Sequence, residues 1–114
     1  MEDCVFCRII NHQIPAKIVF ENDSVLAFED VNPQAPVHLL VVPRKHLPSL
    51  NEAQAEDGPL LGNLFMVAAQ LARDRQIDVK GYRVVINNGL GAGQTVFHLH
   101  VHVLGGRGFH WPPG

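Results

Sequence analysis

Charge of one sign, long apolar runs and cysteine are all scarce in this sequence. Nine Lys and Arg against eleven Asp and Glu leave a formal charge of −2, and no basic run forms a nucleic-acid footprint. Nucleic acid is therefore not an expected partner, and any phosphate chemistry would act on a small ligand. No apolar stretch approaches the ~20 residues of a membrane span, so no membrane partner is expected. The opening Met1-Glu2-Asp3-Cys4 lacks the pattern of an export signal. With two cysteines and no such signal, a structural disulfide is not expected and a cytoplasmic location is. Repeats and low-complexity segments are also missing. The 114 residues read as one domain, 1–114, which buries about two-thirds of its unfolded surface.

Histidine, by contrast, is plentiful, with seven residues. Three stand at strict alternation in His98-Leu99-His100-Val101-His102-Val103-Leu104. A polar/apolar period of two is the mark of a strand. All three imidazoles would share one face, with same-face neighbours ~6.6 Å apart at a rise of ~3.3 Å per residue. Such a row has three readings: a polar face by chance, a metal site, or nucleophilic and acid–base chemistry. The outer pair, ~13 Å apart along the strand, is too widely spaced to converge easily on one ion. Neutral imidazole is a good nucleophile near pH 7. The preceding Gly89, Gly91 and Gly93 let backbone N–H groups approach an anion. Gln94 and Thr95 add side-chain donors. Together they favour phosphoryl chemistry.

The rest of the chain reads as α+β with an antiparallel five-stranded sheet. Val5 to Asn11 suits a short helix. Lys17–Glu21 and Val25–Glu29 flank Asn22-Asp23-Ser24 as a hairpin. Val37-His38-Leu39-Leu40-Val41-Val42 is a central strand buried on both faces and ended by Pro43. Asp57 reads as the N-cap of a helix running to about Arg75, with Pro59 in its first turn. Its apolar arc, widened by Leu60 and Val67, is broad enough to pack against both its own sheet and a second copy. Gly81–Asn87 is a further strand.

The histidine row resembles the signature of the histidine triad (HIT) family of nucleotide hydrolases and transferases. Ile14-Pro15-Ala16-Lys17, Asn32-Pro33-Gln34-Ala35-Pro36-Val37-His38, Gly81-Tyr82-Arg83, Gly93-Gln94-Thr95 and the ending His110-Trp111-Pro112-Pro113-Gly114 are similar to its Hint branch, the histidine triad nucleotide-binding proteins. The resemblance implies hydrolysis of purine nucleoside 5′-phosphoramidates through a covalent nucleotidyl-histidine. In that scheme His100 attacks the α-phosphate, His102 contacts phosphate and assists proton transfer, and His98 and His38 set protonation and orientation. Asn87, Gly93, Gln94 and Thr95 would bind the phosphate and leaving group, although the Hint branch usually carries Ser where Thr95 stands. Asp30 would hold the ribose hydroxyls, and Phe28, Val31 and Leu40 would enclose the base. Turn capping and core packing are the ordinary alternatives for these residues. The resemblance also implies a homodimer with one continuous sheet, in which Trp111 and the tail help shape the partner's pocket. No organic cofactor is implied. A dinucleoside polyphosphate hydrolase of the Fhit kind is the rival enzyme, and a nucleotide- or zinc-binding interaction module is the rival of another class.

Cys4 and Cys7 form a Cys-x-x-Cys without the βαβ setting of a redox motif. Two thiolates are half of a tetrahedral zinc site, and His12, His46, His98 and His110 are the candidates for the other half. The resemblance, through related uridylyltransferases, implies Cys4, Cys7, His46 and His98 as ligands of a structural zinc.

Overall fold

The computed structural model describes residues 3–114. The Asn22 side chain makes the first turn: its Oδ1 accepts the N–H groups of Ser24 at 3.0 Å and Val25 at 2.8 Å. This folds β1 (Ile18–Glu21) back on β2 (Val25–Glu29) as an antiparallel hairpin. β2 pairs β3 (Val37–Pro43), β3 pairs β5 (Val101–Gly105), and β5 pairs β4 (Tyr82–Val85), all antiparallel. The sheet order is β1-β2-β3-β5-β4. α1 (Val5–Ile10) and α2 (Gly58–Asp74) complete the expected α+β architecture.

Alternation along the strands sorts side chains between two cores. Val25, Ala27, Leu39, Val41, Val101 and Val103 face α2 and meet Leu64, Val67, Ala68, Leu71 and Ala72. Leu26, Phe28, Leu40 and Val42 face the other way, against Phe6, Ile9 and Ile10 of α1. β3 is buried on both faces, as its unbroken apolar run predicts. His38 sits in that run at 6% exposure, on the α1 side, where the histidines also lie.

Three expectations are corrected. β5 begins only at Val101, so His98, Leu99 and His100 lie outside the paired strand. Pro43 ends β3 and has no N–H for a ladder. The incoming chain bonds elsewhere: Leu99 N–H donates to Leu47 C=O at 2.6 Å. Asp57 precedes α2 as expected but does not cap it. Its carboxylate accepts Gln54 N–H at 2.8 Å and Lys45 Nζ at 2.7 Å, closing the preceding 3₁₀ turn Ala55–Asp57. Leu60 and Val67 of the widened stripe pack on the chain's own core, which leaves Phe65 and Met66 as the exposed apolar residues of α2.

Candidate active site

His100 and His102 face the α1 side of the sheet, ring centroids 4.9 Å apart. His38 reaches them from β3, with its Nε2 2.9 Å from His102 Nδ1. Hydrogen-bond partners fix the proton positions along this line. The Gln34 N–H donates to His38 Nδ1 at 3.0 Å. That nitrogen carries no proton, so His38 Nε2 does. Nε2–H then donates to His102 Nδ1, with Asp30 Oδ2 3.3 Å away as a second acceptor. His102 Nδ1 is an acceptor in turn, so its proton sits on Nε2. His100 Nδ1–H donates to the His98 carbonyl at 2.7 Å, which leaves His100 Nε2 with a free lone pair. The middle histidine thus offers a nucleophilic nitrogen, and its neighbour a donor.

Burial reinforces these states. His100 is 8% exposed, and burial holds it below the ordinary imidazole range. Burial, with the neighbouring His100 and His38, brings His102 down to about 4. Burial lowers His38 as well, against the opposing charge of Asp30. All three are neutral at pH 7.

A cleft of about 630 Å³ opens on these rings. It gathers His38, His100, His102, Asp30, Phe28, Val31, Leu40, Gly93 and Thr95 from the sequence-derived set. Val31 is 98% exposed and lies at its rim. Gly93 has φ +91°, a conformation that favours glycine. Gln94 lies outside the lining. It is buried at 2% exposure, and its amide binds backbone only: Nε2 donates to Pro48 and Val96 carbonyls, and Oε1 accepts Gly89 N–H. It braces the glycine loop. Asn87 follows β4 outside the lining, and Trp111 is 84% exposed, away from its own chain's cleft.

His98 turns to a different task. Its Nδ1 lies 3.4 Å from Cys4 Sγ, 3.6 Å from Cys7 Sγ and 3.1 Å from His46 Nδ1, and Cys7 Sγ is 3.3 Å from His46 Nδ1. A tetrahedral ion with Zn–S of about 2.3 Å and Zn–N of about 2.1 Å needs S···N edges of roughly 3.5 Å and an N···N edge of roughly 3.4 Å. The four donor atoms fit. His98 Nε2–H donates to Pro43 C=O at 2.7 Å, freeing Nδ1 as a ligand, an outer-shell bond usual for metal-bound imidazole. Burial brings His98 to about 4, so it is neutral as a ligand must be. Burial and the adjacent Cys4 push the Cys7 thiol up to about 11, a state that a bound dication would reverse. His12 instead pairs with Glu21 at 3.8 Å, and His110 offers its carbonyl to Arg83. Asp30, His38 and His102 also bring donor atoms close together. There the Gln34 N–H keeps the proton on His38 Nε2, the atom an ion would need, so that trio does not suit a metal.

Sequence reasoning did not find Gln34 N–H, the Pro43 carbonyl or the His98 carbonyl as parts of the site. Backbone groups leave no residue-type signal. The contact of Asp30 with His38 was also missed, although the tight loop between β2 and β3 brings the two together.

The fold and cleft define an α+β protein with a neutral histidine relay lining its cleft. The HIT domain model matches residues 11–109, and the chain belongs to the HIT family. An uncharacterized HIT-like protein of Synechocystis sp. is 58% identical over 113 residues, covering 99% of this chain and 98% of that protein. A Synechococcus elongatus relative of the same description is 52% identical over 113 residues, with the same coverage. Among solved structures, a HIT family hydrolase from Legionella pneumophila superposes with a TM-score of 0.96 at 46% identity, covering 98% of this chain and 100% of that one. The histidine triad nucleotide-binding protein of Candida albicans gives 0.83 at 30% identity, covering 96% and 83%.

Proposed function

We propose that the chain hydrolyses purine nucleoside 5′-phosphoramidates to the nucleoside monophosphate through a nucleotidyl-His100 intermediate. The observation that carries this reading is the proton order of the relay, with a lone pair on His100 Nε2 beside a donor on His102 Nε2. The Legionella relative's description as a hydrolase and the Candida relative's as nucleotide-binding support it. Phe28, Leu40 and Ile14 offer an apolar bed for the base, Asp30 an acceptor for a vicinal diol, and Gly93 and Thr95 donors for phosphate.

In the first step His100 Nε2 forms an N–P bond as the P–N bond of the N-protonated substrate breaks. The nitrogen leaves as a neutral amine, keeping its proton. His102 Nε2–H donates to a phosphoryl oxygen, where charge shifts during the transfer. His100 becomes an imidazolium, stabilised by its Nδ1–H on the His98 carbonyl. Water then attacks phosphorus and the N–P bond breaks. His100 regains its lone pair, one water proton leaves to solvent, and the monophosphate departs.

Cys4, Cys7, His46 and His98 would hold zinc. It would tie α1 to the segment before β5 and take no part in bond breaking. Exposed Phe65 and Met66 on α2 and the open edge of β4 suit a homodimer. Exposed Trp111 would then reach the partner's cleft, and Asn87 would assist at the phosphate. The decisive assay is release of AMP from adenosine 5′-phosphoramidate. Turnover by the native chain and loss of about 10³-fold or more in His100→Ala are expected for a covalent nucleophile. Unchanged turnover in His100→Ala would overturn the reading.

A further inference from the structure

A second cavity of about 540 Å³ lies beside the cleft, and the phosphate chemistry does not use it. Two members of the Cys–His cluster, Cys4 and His46, stand on its wall, so the cluster is reached from solvent on this side. Cys7 and His98 lie behind them, outside the lining, Cys7 at 9% exposure and His98 fully buried. Val5, Val96 and Phe97 make much of the remaining wall apolar, which suits a small uncharged visitor. The space is ample for hydrogen peroxide, a molecule little larger than a water at ~30 Å³. The Cys7 N–H donates to Cys4 Sγ at 3.3 Å and holds that sulfur over the first turn of α1. Cys7 Sγ stands within 4.8 Å of it, a gap that side-chain rotation closes. A half-buried thiol on a cavity wall, with a second thiol poised behind it, is the arrangement of a redox-sensitive pair.

We propose that Cys4 and Cys7 form a peroxide-oxidation site: hydrogen peroxide enters by the cavity, oxidises Cys4 first, and the pair closes to a disulfide that dismantles the cluster. The consequence for the metal rests on the zinc reading; the oxidation itself does not. In the first step the Cys4 sulfur attacks one peroxide oxygen. The O–O bond breaks, the S–O bond of a sulfenic acid forms, and the Cys4 thiol proton leaves in a first water. The Cys7 sulfur then displaces that hydroxyl. The S–S bond forms, the S–O bond breaks, and the Cys7 proton leaves in a second water. The two sulfurs give up two electrons in all, and the peroxide takes them. Metal is held by thiolate, which a disulfide does not offer, so only the imidazoles of His46 and His98 remain as ligands. The change also reaches the cleft. Phe6 lies between the two cysteines in the chain, its ring edge-on to His100 at 5.1 Å and to Phe28 at 5.3 Å. Closing the pair pulls on the turn that carries this ring.

The test treats the zinc-loaded native chain with excess hydrogen peroxide. Zinc release is followed with a colorimetric indicator, and the cysteines by peptide mass mapping without reduction. Expected is loss of the whole zinc complement in step with a Cys4–Cys7 disulfide within each chain, and recovery of free thiols and bound zinc once a dithiol and zinc are supplied. The metal-free reduced chain should form the same disulfide, which keeps the test independent of zinc affinity. Dimedone, which traps sulfenic acid, should label Cys4 in Cys7→Ser several-fold more than Cys7 in Cys4→Ser. Thiols that stay free after peroxide, zinc lost without the Cys4–Cys7 disulfide, or stronger trapping on Cys7 would each overturn the site. A chain that binds no zinc would overturn the zinc reading instead, and the disulfide map still decides the oxidation, so the two failures are told apart.

Discussion

The chemistry rests on where three protons sit. Gln34 N–H, a residue no sequence motif marks for catalysis, directs the proton of His38, and through it that of His102. Replacing His38 by Ala should lower kcat several-fold or more with a smaller change in KM, because His102 could then turn its proton either way. An equal change in both would place His38 in binding alone. The acid side of the pH profile is a second check. An ordinary imidazole near 6.5 loses about tenfold in its neutral fraction between pH 7.5 and 5.5. Burial holds His100 below that range, so kcat/KM should fall by clearly less than tenfold over the same interval. Stability has the same sign. The unfolded chain takes up protons on His102 and His98 near 6.5, the folded chain only near 4. Stability is therefore fully present above pH 6.5 and is lost as pH falls from there toward 4. A urea midpoint that declines between pH 7 and 5 is expected, and a flat one would show that these rings charge freely in the fold.

At the scale of elements, the sheet was the most legible part. Alternation and unbroken apolar runs located the hairpin, the doubly buried β3 and the helix α2, because burial against a core is what those patterns encode. The full length of the histidine strand was not legible. The period of two persists through His98 and His100, but the ladder stops where Pro43 offers no N–H. Asp57 shows the same limit: its position before the helix was readable, while Lys45 and Gln54 as its partners depend on folding. Packing between elements is tight at Gly105 of β5. A Cβ there would stand 2.6 Å from Ile77 Cδ1 and 2.9 Å from Ile77 Cβ. Gly105→Ala should cost about 1–3 kcal/mol as Ile77 is displaced, read as a lowered urea midpoint with the m-value unchanged. A midpoint equal to the native one would mean that this layer yields easily.

For the whole molecule, α1 joins two regions. Cys4 and Cys7 turn toward His46 and His98, while Val5, Phe6 and Ile9 line the histidine cleft. His98 links the same regions again, its ring in the Cys–His cluster and its carbonyl on His100. The candidate site was legible as residue types and, for both the histidine row and the cluster, as a family pattern. That His98 joins the two through its backbone carbonyl, which accepts from His100 while its ring lies in the Cys–His cluster, became visible only in the fold. With zinc held by the cluster as proposed, a chelator should lower the thermal midpoint and raise KM for the proposed substrate more than it lowers kcat. Metal content would be followed by a colorimetric zinc indicator. Unchanged melting with stoichiometric metal released would leave the cluster without a structural role.

The central claim is that His100 Nε2 carries the nucleotide during turnover. The direct measurement is rapid quenching of the native chain with adenosine 5′-phosphoramidate under alkaline conditions that preserve phosphoimidazole bonds, followed by peptide mass mapping. An adenylyl group on His100, formed in a burst before steady-state AMP release and absent from His100→Ala, is the expected result. Steady turnover with no adduct, or an adduct on another residue that forms as fast as AMP appears, would contradict it.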